Sequence, residues 1–313
     1  MEFVMADEKM FIENMEEFGK LYQTCFSQSM SAEEVQWRYI QNPHKDILAC
    51  FALDEGRIIA NYSVSPVELI NNGKIIKAGL SLNTMTHPDY VGRGLFVKLA
   101  SAVYSEMERR GYKLVFGFPN YISNRTFVNK LGWKDIAEIP MMELDLSKIS
   151  DSLDDSNEII EDSQYNCNYD LCNIKSNKIM VRKTQEYMIW KYKNNPTNVY
   201  KNYVLLDENN NVRSRIVMKE YKNRLNIVDY YMENVNDAEK MFLFAIYHAK
   251  KLGKDLITLW SVLGSAEHLV LEKLGFRNSV PVTYFGANVF TGSGLDYYEY
   301  KNWEINLSDD NVF

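Results

Sequence analysis

The chain has 313 residues, of which 46% are hydrophobic, 25% charged and 13% aromatic. That length suits two domains of ordinary size, and that composition excludes a disordered, collagenous or membrane-spanning protein. With 35 basic against 42 acidic residues the net charge is -7, which speaks against nucleic acid or an anionic membrane as a partner.

In chain order, the acidic residues 1–10 do not resemble a secretion signal, and a cytoplasmic location is expected. The longest apolar run, 241–247, is too short to cross a bilayer. Phe11, Met15, Phe18, Leu21 and Tyr22 recur at helical spacing. Ser31 and Glu34 read as the capping box of a second helix that passes through Trp37 and ends before Pro43. Residues 47–53 and 57–69 form a predicted hairpin, and Asn72-Gly73 turns the chain into a strand over 74–86. Leu95, Phe96, Leu99, Val103 and Met107 line one face of a helix that stops near Gly111. A short strand (114–118), a short helix (123–131) and a strand from Trp133 follow. The second half repeats this order: a helix through Trp190, a hairpin across 208–211, a strand over 225–231 and a helix over 237–252. Strand 256–261, helix 265–274 and strands after Phe276 complete it. Helices alternating with strands imply an α/β sheet covered by helices, twice over. Four cysteines without a CxxC or CxxH pair predict free thiols and no metal site.

The halves also share words. The heptapeptide at 37–43, WRYIQNP, returns at 190–196 as WKYKNNP, and KLGW at 130–133 returns as KLGF at 273–276. The offset is 153 (190 − 37) for the first pair and 143 (273 − 130) for the second, so the second half has lost residues between them. The segment 86–96, THPDYVGRGLF, has no counterpart after Val228 and is where the loss is expected. Residues 143–163 hold Glu143, Asp145, Asp151, Asp154, Asp155, Glu158, Glu161 and Asp162 against the single base Lys148, the pattern of a solvated linker.

Chemistry is expected where the strand ending Asn83-Thr84-Met85-Thr86 meets the helix opened by Val91-Gly92-Arg93-Gly94-Leu95-Phe96. The first N–H groups of a helix have no internal partner and carry partial positive charge, so they attract an anion. Gly92 and Gly94 let a phosphate approach, and Arg93 adds a cation. The whole pattern, Thr86-His87-Pro88 followed by Val91-Gly92-Arg93-Gly94-Leu95-Phe96 and later by FVNKLGW at 127–133, resembles the acyl-CoA loop and the closing signature of the GNAT (GCN5-related N-acetyltransferase) superfamily.

That resemblance implies an α/β (α+β) fold of two GNAT-like domains, each a mixed, mostly antiparallel sheet flanked by helices. The boundaries drawn are 1–146, an acidic linker over 147–174, and a degenerate second copy over 175–313, which lacks the glycine turn. It also implies acetyl-CoA as cosubstrate, with no metal. The backbone of Thr84, Met85 and Thr86 would face its pantetheine arm, the N–H groups of Val91, Gly92, Arg93, Gly94, Leu95 and Phe96 its pyrophosphate, and Asn120 or Asn124 its arm further along. For the asparagines, plain helix capping is the competing reading. The family's tyrosine acid falls at Val128, leaving Tyr121 as the nearby candidate.

For the base, Asn83 (as a pocket residue), His87, Asp309, Asp310 and the terminal carboxylate of Phe313 are the candidates. The expected activity is transfer of an acetyl group to an amine of a small molecule such as an amino sugar, an aminoglycoside-like compound or a polyamine. The alternatives are a Fem-type aminoacyl transferase and a non-catalytic acyl-CoA-binding protein. A monomer is favoured, since two fused halves replace a dimer, and neither nucleic acid nor membrane is expected as a partner.

Overall fold

The computed structural model describes residues 1–149, 158–169, 172, 176–291 and 296–310. The first half supplies strands β1 (Glu2–Met5), β2 (Leu48–Asp54), β3 (Arg57–Asn71), β4 (Lys74–Thr86), β5 (Leu114–Gly117) and β6 (Lys134–Asp145). The rest supplies β7 (Ile160–Glu161), β8 (Met180–Val181), β9 (Lys201–Leu206), β10 (Val212–Tyr221), β11 (Arg224–Tyr231), β12 (Leu256–Leu259) and β13 (Arg277–Val289). The helices are α1 (Glu8–Glu13), α2 (Met15–Phe26), α3 (Ala32–Val35), α4 (Leu95–Arg109), α5 (Tyr121–Lys130), α6 (Gln185–Met188), α7 (Val235–Lys251) and α8 (Ala266–Lys273).

The strands form a mixed, mostly antiparallel sheet, continuous through both halves, in the order β1-β2-β3-β4-β5-β13-β6-β12-β11-β10-β9-β7, with β8 paired to β3. The order reads as one series and its mirror. β5 and β12 each lie parallel to the strand before them in sequence, β4 and β11. The last strands are exchanged: β13 pairs with β5, while β6 pairs with β12, and the two exchanged strands pair with each other. An approximate two-fold axis therefore runs between β6 and β13. The sequence boundaries at 146 and 175 divide the chain but not the sheet.

The repeated heptapeptide sits on that axis. In each copy the α-helix widens for one turn, with Gln41 N–H bonding Gln36 C=O and Asn194 N–H bonding Ile189 C=O, five residues back. The indoles of Trp37 and Trp190 stack at 5.2 Å and 21°. Trp37 Nε1 donates to Trp190 C=O at 2.8 Å, and Trp190 Nε1 donates to Trp37 C=O at 2.9 Å. Both tryptophans belong to a core cluster drawn from the two halves. Separate clusters fill the space under α4 and under α7. Phe11, Phe18, Tyr39 and Phe51 pack beneath the N-terminal helices.

Three expectations are corrected. Ser31 Oγ does accept from Glu34 N–H at 3.1 Å, but the Glu34 carboxylate turns forward to Arg38 at 2.8 Å instead of closing the capping box. The residues lost from the second half fall mainly in a hairpin. By the parallel registers Ala78–Leu114 and Arg224–Leu256, the offset is already 146 (224 − 78) in β4 and 142 (256 − 114) in β5. Of the eleven residues between offsets 153 and 142, seven therefore go before Ala78 and four in the turn to α4. The longer β3–β4 arm has a use: Leu69 and Ile70 pair with Val181 and Met180, and Glu68 binds Arg182 at 2.6 Å. Finally, the acidic segment is only partly a solvated linker. Glu143 and Asp145 lie on β6, Ile160 and Glu161 pair with β9, and Asp162 is buried. Its carboxylate is satisfied by the N–H groups of Asn166 and Cys167 and by the Tyr169 hydroxyl, which is why it tolerates burial. Asp151, Asp154 and Asp155 lie outside the described residues.

Candidate active site

The glycine turn joins β4 to α4. Gly92 and Gly94 have φ of 84° and 71°, a conformation that costs other residues about 1 kcal/mol or more. A Cβ on either would meet nothing within 4 Å, so the space above the turn is open. Gly94 is the N-cap of α4 and offers no side chain to the first N–H groups, and no acid stands in the first turn. Those donors point into open space with the helix dipole behind them. Arg93 folds back, its guanidinium 4.6 Å from the Tyr90 ring and bonded to Asp89 C=O at 3.1 Å.

The strand leading to the turn parts from one of its neighbours. β4 pairs with β5 from Ala78 to Leu80, then runs on to Thr86 paired with β3 on its other side. A bulge opposite Asn61 and Ser63 puts Asn83 at φ 47°, with its amide donating to Tyr39 Oη at 2.6 Å and its C=O accepting from Asn61. Beside this open stretch lies a cavity of about 480 Å³. Ser81, Leu82, Asn83 and Thr84 line one side, and Phe118, Asn120, Ser123 and Phe127 another. Trp37 and Arg38 from the first heptapeptide and Lys191 and Asn195 from the second complete it, with Glu34 and Asp310 as its carboxylates.

The sequence-predicted residues divide accordingly. Asn83, Thr84 and Asn120 line the cavity. Asn120 is also the N-cap of α5, accepting from Ile122 and Ser123 N–H, so its side-chain oxygen serves the helix. Asn124 turns away to bond Asp135 at 3.0 Å. The Met85 side chain is buried in the core under the N-terminal helices, which leaves its backbone as the group available to a ligand. Thr86 C=O accepts from the Cys25 thiol. Phe96 packs edge-on against Phe127 at 5.0 Å, and Leu95 is buried, while Val91 is exposed. His87 is spent locally: its Nδ1 accepts from Asp89 N–H at 3.3 Å and lies 3.6 Å from the Asp89 carboxylate. Tyr121, at 79% exposed, and Val128 are not among the cavity residues. Asp309 is buried and bound to Lys183 at 3.1 Å, whereas Phe313 lies outside the described residues.

Lys191 was missed by sequence reasoning. It is 6% exposed, lines the cavity, and has no hydrogen-bond or ion-pair partner among the described residues. Burial pulls its ammonium down to about 8. The signal was available: Lys191 is the heptapeptide mate of Arg38, at an offset of 153 (191 − 38).

The matching place in the second half is closed. β11 pairs with β12 only from Arg224 to Asn226, as β4 does with β5. Here the tail fills the gap: Asn306 accepts from Tyr230 N–H at 3.2 Å and donates to Tyr230 C=O at 3.3 Å. The mate of Asn83 is Asp229, five residues past the start of each parallel register. Asp229 is buried, held by Lys183 and Arg215 at 2.7 Å each and by the Tyr192 hydroxyl. The N-terminus of α7 is capped by Asn234, which accepts from Asp237 N–H, and Asp237 stands in its first turn.

The four cysteines are free thiols. Among the described residues no cluster of His, Cys, Asp or Glu could hold a metal, and no helix is long and apolar enough to cross a membrane.

Comparison with known proteins agrees with this geometry. The model of an acetyltransferase (GNAT) domain matches residues 9–136. A GCN5-related N-acetyltransferase from Anabaena variabilis superposes with a TM-score of 0.68 at 14% identity, over 93% of this chain and 73% of that one. A probable N-acyltransferase from Enterococcus faecalis gives 0.67 at 12% identity, over 92% and 72%. Saccharomyces cerevisiae N-myristoyltransferase, solved with myristoyl-CoA, gives 0.63 at 11% identity, over 100% and 89%. No curated protein matches by sequence. Residues 9–136 thus match the model of an acetyltransferase (GNAT) domain, and the fold along nearly the whole chain is shared with these solved structures.

Proposed function

We propose that the protein transfers an acetyl group from acetyl-CoA to an amine of a small molecule. One arrangement carries the reading: an uncapped glycine N-terminus stands at the end of a strand that has parted from its neighbour beside a cavity. The pyrophosphate sits on the N–H groups of 92–96, where its charge meets the α4 dipole. The pantetheine arm runs along the free edge of β4 over 84–86, as an added strand would. The thioester then lies at Ser81–Thr84, inside the cavity.

The acceptor nitrogen attacks the thioester carbonyl, so a C–N bond forms and a C–S bond breaks. An alkylammonium, with a pKa of about 10.4, must first lose a proton. Glu34 and Asp310 at the cavity wall, or a water between them, receive it. The departing thiolate resembles a cysteine thiolate of pKa about 8.5, so it leaves without a dedicated tyrosine, which accounts for Val128. The second half, closed to the cofactor, walls the acceptor side through Lys191, Asn195, Thr197 and Asn198.

Calorimetry with coenzyme A and a thiol-release assay test this. Gly94→Glu sets a carboxylate at the N-terminus of α4 and should weaken coenzyme A binding at least 100-fold while circular dichroism is unchanged. Unaltered affinity in that variant would move the cofactor elsewhere.

A further inference from the structure

The pocket that holds the acceptor has a buried cation, Lys191, whose ammonium makes no ion pair or hydrogen bond among the described residues. We infer that the acceptor is an amino acid or a similar amine that also bears a carboxylate, and that Lys191 receives this carboxylate. The inference rests on the acyl-transfer reading for the amine but not for the carboxylate.

The two-fold relation makes the case. Arg38 and Lys191 follow the paired tryptophans and line the same cavity. Arg38 is bound to Glu34 at 2.8 Å, with both side chains about one-tenth exposed. Lys191 has no such acid. The carboxylates on its own side are already engaged, since Lys183 holds Asp229 at 2.7 Å and Asp309 at 3.1 Å. A buried ammonium without a counter-charge is costly, and a bound carboxylate removes that cost. The charged groups facing Lys191 are Arg38, Lys183, Asp309 and Asp310. Burial is the main reason its ammonium is drawn down to about 8, with Arg38 and Lys183 acting in the same direction and the two aspartates against it. A lysine suits one carboxylate oxygen reached from a flexible stem, where arginine would demand a planar pair. With Glu34 and Asp310 in the same wall, the cavity offers a counterpart to each end of a zwitterion.

The test uses the full chain, acetyl-CoA, and the common α-amino acids beside their α-amides. In the wild type at least one acid should exceed its amide tenfold or more in kcat/KM. Lys191→Met should raise KM for that acid at least tenfold, with kcat within about threefold, and bring the acid-to-amide ratio of kcat/KM down to near one. Lys191→Arg, which keeps the charge but not the shape, should recover part of the loss. In the wild type KM for the acid should climb from pH 8 to 9.5 as the ammonium loses its proton, and the climb should vanish in Lys191→Met. Equal use of acids and amides overturns the inference, as does an equal fall in kcat for both in Lys191→Met, the mark of a base. Should no amine be acetylated, the acyl-transfer reading fails by itself. Calorimetry with the amino acids alone then decides: binding lost in Lys191→Met upholds the carboxylate site, and its absence in the wild type removes it.

Discussion

The two halves of this molecule share an element order and a repeated heptapeptide, yet one is open and the other shut. At the same point of the fold the first half has Asn83, a bulged strand and a bare glycine turn, while the second has Asp229, a tail-derived plug and a capped helix. The open half leaves polar backbone to be met by a ligand. The closed half meets those needs itself, with Asn306 on Tyr230 and Asn234 on the α7 N-terminus. Closure comes with a buried ionic network, stable only while every member is present. The closed half thus satisfies its own polar groups, and the open half leaves those at the same point of the fold uncovered.

Several substitutions sharpen this contrast. The largest effect belongs to the buried ionic network: Asp229→Ala strands Arg215, leaves Asp309 as the carboxylate on Lys183, and should cost about 3–5 kcal/mol in urea unfolding. Trp190→Ala should cost about 3–4 kcal/mol, and combining it with Trp37→Ala should show coupling of about 1–3 kcal/mol because each indole bonds the other's backbone. The pH profile reports the same network. Burial pushes the Asp229 carboxyl up, but Arg215 and Lys183 outweigh it and hold the group at about 2. Its folded value lies below its unfolded value, so its stabilisation is full above about pH 4 and is lost as pH falls towards 2. Asp229→Asn should flatten that fall in a thermal-shift series. Asn306→Ala, which uncovers both polar groups of Tyr230, should cost about 1–3 kcal/mol. The smallest change runs the other way: Lys191→Met removes an unpaired buried charge from the ligand-free protein and should stabilise it by about 1–2 kcal/mol at neutral pH. A destabilised Lys191→Met variant would show that the ammonium already has a partner.

Much of this was legible in the sequence because symmetry writes itself twice. Residues on the two-fold axis contact their own counterparts, so Trp37 and Trp190 are constrained by the same surroundings and the heptapeptide recurs. The glycine turn was legible because positive φ and a bare helix start require Gly92 and Gly94. The strand exchange was not, since the alternation in 134–145 and 277–289 is satisfied by either neighbour and periodicity carries no information about which one is chosen. Lys191 escaped notice because a charged residue after an aromatic on a helix reads as solvent-facing until the second half is laid against it. The run of acids hid β7 and the buried Asp162 because local N–H donors, invisible to charge counting, neutralise that carboxylate. Strand β1 is too short to show a period.

The interchange of β6 and β13 bears on how the protein is made. On the ribosome the β5 edge lacks its β13 partner until the chain has grown past residue 289. An unpaired edge of that kind recruits foreign strands. Two nascent chains lying close together could trade these segments in place of completing their own sheets, so slow translation between β6 and β13 or early chaperone capture would decide the yield of correctly closed protein.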